Sequence, residues 1–338
     1  MTMINKNILV TGGMGYVGSH LILTLLKNNY KIIAIDNLSN SKINVLDKIK
    51  KLSNKSIKFY KADIKNKNSL FKIFNENKIQ YVIHLAALKS VNESIKNSHD
   101  YYKNNVLGTI NLVEAMKKFK VKRMIFSSSA VVYGKSKKLP CSENQKTNST
   151  NPYASTKIAC EEYFNSLANE SDNWNIISLR YFNPVGNHPS GLIADNPKNP
   201  NNIMPILNEV AIGKREFLQI FGKNYPTKDG TAIRDFVHVM DVGDAHYAAL
   251  KKINKIKGHT VLNIGTGKGT SVLKLFNTYK LENKLKIEKI FAKRRMGDVA
   301  ISFANVNKAK KILKWTAKYK INDMCISSYN FAKNYLKR

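Results

Sequence analysis

The sequence predicts an α/β fold: a doubly wound parallel sheet with helices on both faces, and a smaller C-terminal substrate-binding domain interwoven with it. Three observations carry this. Short apolar runs alternate with stretches of helical periodicity through the first half of the chain. The first of those runs leads straight into a glycine cluster. After residue 181 the rhythm breaks, and a stretch rich in Pro, Asn and Gly follows.

Asn7-Ile8-Leu9-Val10-Thr11 reads as a short buried strand, and Val17, Leu21 and Leu25 then recur at helical spacing between residues 15 and 28. The run 31–35 is the next strand and ends on Asp36. Residues 57–60 and 81–85 read as further strands, and 123–126 as one that stops at Ser127-Ser128-Ser129. Helical stretches at 102–119 and 155–169 lie among them. After a strand at 175–181, residues 184–235 read as irregular connections around one helix near 205–213, and 306–336 as a helical ending. No internal repeat or flexible linker is seen.

Composition narrows the function classes. The chain has 338 residues, 43% of them hydrophobic and 9% aromatic, enough for a sizeable core and against wholesale disorder. Cys141, Cys160 and Cys325 are too few and scattered for a disulfide framework or a zinc site, which fits a reducing compartment. No apolar run approaches the ~20 residues of a membrane span, and the polar lead before Ile8 lacks a signal-peptide core. The expectation is a cytoplasmic protein without membrane attachment. Lys and Arg number 56 against 23 Asp and Glu, a net charge of +33. Lysine is spread from Lys6 to Lys337, usually beside asparagine, as in Asn66-Lys67-Asn68, so the excess reads as solvated faces favouring anionic small ligands. No zinc-finger spacing or RNA-recognition motif appears, and no specific nucleic-acid partner is expected.

Thr11-Gly12-Gly13-Met14-Gly15-Tyr16-Val17-Gly18 sits where a strand meets a helix. Its glycines satisfy both G-x-G-x-x-G and G-x-x-G-x-x-G spacings. Missing side chains permit the tight turn, let backbone N–H groups approach a pyrophosphate, and let the helix pack closely on the sheet. Asp36 closes the second strand, where a carboxylate accepts hydrogen bonds from an adenosine ribose and repels a 2′-phosphate. The cofactor expected of this Rossmann-like unit is NAD. The domains are then 1–181, binding NAD, and 182–338, mainly binding substrate, with about 236–264 returning to the first.

Tyr153-Ala154-Ser155-Thr156-Lys157 places Tyr153 and Lys157 on one helix face, downstream of the serine-ended strand. An ammonium beside a phenol favours the phenolate, moving its pKa from about 10 towards neutrality. Tyr153 then serves as a general base on a hydroxyl that Ser129 orients.

Longer stretches carry a resemblance. They are Tyr101-Tyr102-Lys103-Asn104-Asn105-Val106, Arg180-Tyr181-Phe182-Asn183-Pro184-Val185-Gly186, and Asp229-Gly230-Thr231-Ala232-Ile233-Arg234-Asp235-Phe236-Val237-His238-Val239-Met240-Asp241, with Arg294-Arg295-Met296-Gly297-Asp298. From Ile8 to about Trp315 the chain resembles the extended short-chain dehydrogenase/reductase superfamily and, within it, the UDP-glucose 4-epimerase family of NAD-dependent epimerases. The resemblance implies an isomerase of nucleotide-sugar and galactose metabolism that interconverts UDP-galactose and UDP-glucose. In that family the tyrosine takes the sugar 4-hydroxyl proton while hydride passes to NAD. The 4-keto sugar then turns about its diphosphate link and is reduced on its other face.

It further implies contacts to NAD from Gly12, Gly13, Gly15, Tyr16, Val17 and Gly18, and from Asp36, Asn37, Leu38, Ser39, Asn40 and Ser41 around the adenosine ribose. Asp63 and Ile64 flank adenine. Leu85, Ala86, Ala87, Leu88 and Lys89 pass beneath the pyrophosphate, and Asn104, Ser129, Tyr153, Lys157 and Phe182 complete that set. The UDP-sugar is matched to Lys89, Ser129, Tyr153, Asn183, Asn202, Ile203, Gln219, Phe221, Arg234, Arg295, Asp298 and Ser302. No metal is implied. The family commonly forms homodimers through a four-helix bundle, here residues 102–119 and 155–169 of each subunit. Ala87 and Ala154 replace family glycines, Lys293 and Met296 depart near the arginine pair, and Ser302 stands where a bulky aromatic excludes N-acetylated sugars. The last points to turnover of UDP-N-acetylglucosamine and UDP-N-acetylgalactosamine as well.

Two rival readings remain at this point. A 4,6-dehydratase or decarboxylase acting on nucleotide-sugars uses the same fold, although Ser129-Ala130-Val131 lacks the acid pair that elimination needs. A NAD-holding scaffold or nucleic-acid binder is suggested by the charge alone.

Overall fold

The computed structural model describes residues 6–136, 138–170, 173–197, 199–295 and 297–336; Met296, one of the departures named above, lies outside them. Seven parallel strands form the central sheet. They are β1 (Asn7–Thr11), β2 (Lys31–Asp36), β3 (Lys58–Lys61), β4 (Ile79–His84), β5 (Arg123–Ser129), β6 (Asn175–Tyr181) and a late seventh strand, Gly258–Ile264. Their order is seventh–β6–β5–β4–β1–β2–β3, so the winding reverses between β1 and β4. In such a sheet the ligand crevice opens at the carboxyl ends of the strands beside that reversal.

Strand alternation builds the two cores. Ile8 and Val10 of β1 enter the cluster on one face, and Leu9 enters the other; all three are 0% exposed. Burying each such side chain stabilises the fold by about 1.5–3 kcal/mol. One face is covered by α1 (Tyr16–Lys27), whose Leu21, Ile22, Leu25 and Leu26 join Ile8 and Val10. The helix α2 (Val45–Ser53) adds Ile49 to that cluster, and α3 (Lys67–Glu76) packs on the opposite face through Leu70, Ile73 and Phe74. Beyond β4 come the short helices α4 (Val91–Lys96) and α5 (Ser98–Tyr101).

The helix expected over 102–119 is instead a π-helical turn, Tyr102–Leu107, that runs into α6 (Gly108–Lys118). The local reason lies in Asn105. Its side chain accepts from Leu88 N (2.8 Å) and donates to Leu88 O (2.9 Å) and Thr156 Oγ1 (3.0 Å), fixing the wide turn against the β4 loop and the next helix. That helix, α7 (Pro152–Glu170), starts earlier than periodicity suggests, which brings Tyr153 into its first turn. β5 also runs on through the three serines instead of stopping before them: Ser127, Ser128 and Ser129 pair with Leu179, Arg180 and Tyr181 of β6.

Past β6 the chain leaves the sheet. β7 (Asn183–Val185) leads to α8 (Ile203–Ala211), which begins two residues before the expected Pro205. β8 (Phe217–Phe221), β9 (Ile233–Arg234) and β10 (Phe236–His238) follow. α9 (Val239–Lys252) then packs against α1, and β11 (Gly258–Ile264) is the late strand that closes the sheet beside β6. The segment 184–235 is thus less irregular than its composition suggests, because its strands are too short to show a period. β12 (Thr270–Ser271), α10 (Val272–Glu282), β13 (Glu288–Ala292) and β14 (Ile301–Ser302) complete a second body around Leu207, Leu218, Leu275 and Phe276. The expected helical ending is two helices, α11 (Asn307–Leu313) and α12 (Ile321–Leu336), because Lys314 turns left-handed at φ +56°. Asp241 accepts from Lys318 N and Tyr319 N at 3.0 Å and fixes the intervening loop.

Candidate active site

A cleft of about 1950 Å³, the open solvent at its mouth included, lies at the carboxyl ends of the strands where the winding reverses. The glycine loop forms one end. Gly12 and Gly13 N–H groups both donate to Ile35 O, which ties the loop to β2. A Cβ on Gly12 (φ +68°) would meet Ala86 N at 2.8 Å, and one on Gly18 would meet Gly12 O at 2.2 Å. The turn is therefore closed to any larger residue. The first-turn N–H groups of α1 lack intrahelical partners, and the turn holds no acidic residue, so it offers an anion an unopposed set of donors.

Asp36 is held for one task. It accepts from Met14 N (3.0 Å), Leu38 N (2.9 Å) and Ser41 Oγ (2.8 Å). A carboxylate has about four lone-pair sites, so three donors leave one for a ribose hydroxyl. The loop is tied to β4 by a chain whose proton directions follow from its geometry. Thr11 Oγ1 accepts from Leu85 N and Ala86 N, so its own proton goes to His84 Nδ1 at 2.7 Å. His84 Nε2 then donates to Thr109 Oγ1 (2.9 Å), which donates to Asn105 O (2.5 Å). Burial lowers the His84 pKa to about 3, with Lys157 adding to the effect, so the ring stays neutral.

Tyr153, Ser129 and Lys157 converge on the cleft floor, and Asn104 reaches it from the π-helical turn. Lys157 Nζ donates to Ser127 O at 2.7 Å and lies 6.0 Å from the centre of the Tyr153 ring. Burial lowers the Lys157 pKa to about 8, against the opposing pull of Cys160 and Glu161. Tyr153 differs from expectation. Burial raises its pKa to about 12, although a hydrogen bond with Ser129 pulls the other way. Burial outweighs the hydrogen bond with Ser129, so further positive charge beside the ring is needed before the phenol ionises near neutrality. Beneath the floor, Glu161 takes a buried bidentate contact from Arg180 (3.0 and 2.5 Å) and a hydrogen bond from Ser128 (2.5 Å), fastening α7 to β5 and β6.

Most of the expected cofactor residues line this cleft: Gly12, Gly15, Tyr16, Val17, Gly18, Asp36, Asn37, Ser39, Asn40, Ser41, Ile64, Leu85 to Lys89, Asn104 and Phe182. Gly13, Leu38 and Asp63 do not. Gly13 backs onto Ala34 and Ile22, Leu38 packs against the core, and Asp63 accepts from Asn37 Nδ2 at 3.1 Å. Of the residues matched to substrate, Lys89, Ser129, Tyr153 and Asn202 line the cleft. Asn183 lies on β7, and Ile203 opens α8 beside Asn202.

The remaining matched residues form an arginine cluster. Arg295 stacks over Phe221 at 4.0 Å, Arg234 Nη2 donates to Asp298 Oδ1 at 2.5 Å, and Ser302 pairs with Arg234 across β14 and β9. Gln219 stands two positions before Phe221 on β8. The Tyr225 hydroxyl, within electrostatic reach of Arg234, Arg294, Arg295 and Asp298, is buried without a hydrogen-bond partner among the described residues. An orphaned donor among cations suits an anionic ligand.

Sequence reasoning missed two carboxylates and one amide. Asp235 is fully buried and accepts from Thr266 N, Thr266 Oγ1, Gly267 N and Ala304 N, which fixes β9 and β14 and so places Arg234 and Ser302. It lies within the run 229–241, and its place directly after Arg234 is the sequence signal for it. Asn105 likewise lies within the run 101–106, but its clamp on Leu88 depends on the π-helical turn. Asp195 lines the cleft and belongs to no motif.

Comparison with known proteins agrees with this geometry. The family model for GDP-mannose 4,6 dehydratase matches residues 9–327. A UDP-glucose 4-epimerase of Cyamopsis tetragonoloba is 45% identical over 335 residues, covering 98% of this chain and 96% of that protein. The chain belongs to the UDP-glucose 4-epimerase family. Among solved structures, a UDP-glucose 4-epimerase from Stenotrophomonas maltophila, with bound NAD and formylated UDP-arabinopyranose, superposes with a TM-score of 0.96 at 38% identity. The match covers 98% of this chain and 99% of that one. A second, from Bifidobacterium longum in complex with NAD+ and UDP, gives 0.94 at 40% identity, covering 97% and 98%. The dehydratase description in the broader model does not extend to the site: the residues after Ser129 are the apolar Ala130 and Val131, in a short 3-10 turn.

Proposed function

We propose that this chain is a NAD-dependent isomerase that interconverts UDP-galactose and UDP-glucose by transient oxidation at the sugar 4-position. The observation that carries the reading is the convergence of Ser129, Tyr153 and Lys157 on the floor of a cleft headed by the glycine loop. The groups there fit NAD: a turn only glycine can make, free first-turn N–H groups, and an Asp36 acceptor that favours a ribose hydroxyl over a 2′-phosphate. When bound, NAD supplies a cationic hydride acceptor.

The protein supplies acid–base work and orientation. Ser129 holds the sugar 4-hydroxyl against Tyr153, whose phenolate takes the proton and returns it on the opposite face. Lys157, its carbonyl contact to Ser127 retained, keeps positive charge beneath the phenol. Arg234 and Arg295 clamp the diphosphate while the keto sugar turns. Asn183, Asn202, Ile203, Gln219 and Phe221 complete the nucleotide-sugar site in this reading, with the NAD contacts as set out from the sequence. The division at 181 and 182, with 236–264 returning, is part of it.

Three finer points are proposed with it. The exposed Tyr102 and Leu107, each 45% exposed, support a homodimer through a four-helix bundle built on the π-helical turn, α6 and α7. Cys141, Cys160 and Cys325 are free and buried, which supports a cytoplasmic setting; no helix among the described residues is long and apolar enough to cross a membrane. The small side chain of Ser302, beside Arg234 on β14, supports turnover of the N-acetylated UDP-sugars.

The test is a coupled assay with UDP-galactose and UDP-N-acetylgalactosamine, without added NAD. UDP-galactose should be converted, and Tyr153→Phe should lower kcat about 10³-fold while the protein keeps its NAD absorbance. Equal turnover by the variant would remove Tyr153 from the chemistry. Ser302→Tyr should abolish conversion of the acetylated sugar alone; unchanged turnover would sink the steric account.

A further inference from the structure

Asp195 lies on the loop between β7 and α8, in the wall of the cleft that also holds Tyr16 and Asn202. Its side chain is only 13% exposed. The backbone that presents it is anchored: Asp195 N donates to Asn187 Oδ1 at 3.1 Å, and Asn187 donates through its own N to Ser327 Oγ and through Nδ2 to Ser328 O on α12. The carboxylate faces two residues matched to substrate. Lys89 Nζ stands 3.9 Å from Oδ1, and Asn202 Nδ2 donates to Oδ2 at 3.5 Å. Lys89 also sits 5.8 Å over the Tyr16 ring, beside the glycine loop.

The arginine cluster offers the contrast. There Arg234 and Asp298 are in close contact at 2.5 Å, a pair tight enough to persist as a unit. The Lys89–Asp195 pair is looser and its lysine is 48% exposed, so the ammonium is free to leave its partner for a better one. A diphosphate is such a partner. Its arrival would leave Asp195 uncompensated within the same wall, where like charge opposes an anionic ligand.

We propose that Asp195 is the counter-ion that Lys89 gives up when the nucleotide-sugar binds, and that its repulsion of the diphosphate sets how tightly UDP is held and how readily product leaves. The inference rests on the reading given under Proposed function. It makes Asp195 a residue that tunes affinity for the diphosphate, with no part in proton transfer.

Calorimetric titration of the NAD-loaded protein with UDP and with UMP tests it, with Asp195→Asn as the variant. Asparagine keeps the shape and still accepts from Asn202, and Asp195→Ser serves if the first variant misfolds. UDP should bind about three- to tenfold tighter, UMP less than twofold, and KM for UDP-galactose should fall with UDP. In a Lys89→Met background the gain should shrink, since no ammonium is left to exchange. Unchanged UDP affinity in the variant overturns the proposal. So does a raised KM for UDP-galactose with UDP unaffected, which would make Asp195 a partner of a sugar hydroxyl. If the unmodified protein binds UDP but does not convert UDP-galactose, the proposed function fails and this inference stands or falls on the UDP titration alone.

Discussion

At the glycine-loop end the cleft is walled by backbone N–H groups and by Asp36, held in place by close packing and hydrogen bonds. Gly12 and Gly18 leave no room for a methyl group, and His84 is locked neutral between Thr11 and Thr109. In the arginine cluster full charges stand on short strands, already compensated by the protein's own carboxylate and by an aromatic face. The first region can lose nothing without losing its shape. The second is held by charge pairing on two-residue strands, so it can be altered without losing the shape of the sheet.

The comparison breaks first at the glycine loop. Gly18→Ala should destabilise the fold by about 2–3 kcal/mol and abolish NAD retention, because its Cβ would fall on backbone at 2.2 Å and neither chain can yield. A thermal unfolding curve and the NAD absorbance of the purified variant check this; retained NAD would mean that the loop is more plastic than its packing.

Acid tests the same region more gently. Burial lowers the pKa of His20 and His84 to about 3 and of His246 and His259 to about 4, all on elements of the sheet or its helices. Their ordinary value is near 6.5, so the unfolded chain binds the extra protons first. Stability is then complete above about pH 6.5 and is lost progressively as pH falls towards the folded values. Circular dichroism against pH should show unfolding in that window, with NAD released in step; a protein unchanged down to pH 4 would contradict the burial of these rings.

The smallest effect belongs to the arginine cluster. Arg234→Lys should raise KM for UDP-galactose about tenfold with kcat within threefold, since a point charge replaces a planar fork but the strand stays folded. A fall in kcat with KM unchanged would assign Arg234 to the chemistry instead.

These regions also differ in how far the sequence displays them. The glycine loop, Asp36 and the flanking strands are legible because a turn, a strand and a helix each write a local pattern. Tyr153 and Lys157 are legible as a spacing, but the pKa of Tyr153 is not, because burial and the hydrogen bond with Ser129 decide it from a distance in sequence. In the arginine cluster the residues stood out only through long matched stretches. β9 and β14 have two residues each, too short for any period. The π-helical turn hid for a related reason: Tyr102–Leu107 carries an ordinary helical pattern, and only the clamp from Asn105 to Leu88 and Thr156 shows why it widens.

The last strand of the sheet has a consequence for how the protein is made. β11 pairs with β6 along its full length, from Gly258 against Asn175 to Ile264 against Tyr181, yet α8 and α9 are synthesised between them. Until residue 264 has left the ribosome, β6 stands as an open parallel edge with Ile176, Ile177 and Leu179 on its faces. An open apolar strand edge of that kind is a template for aggregation while it lasts. α9 and β11 therefore act as the fastener of the sheet, and translation that stalls before them leaves β6 without its outer neighbour.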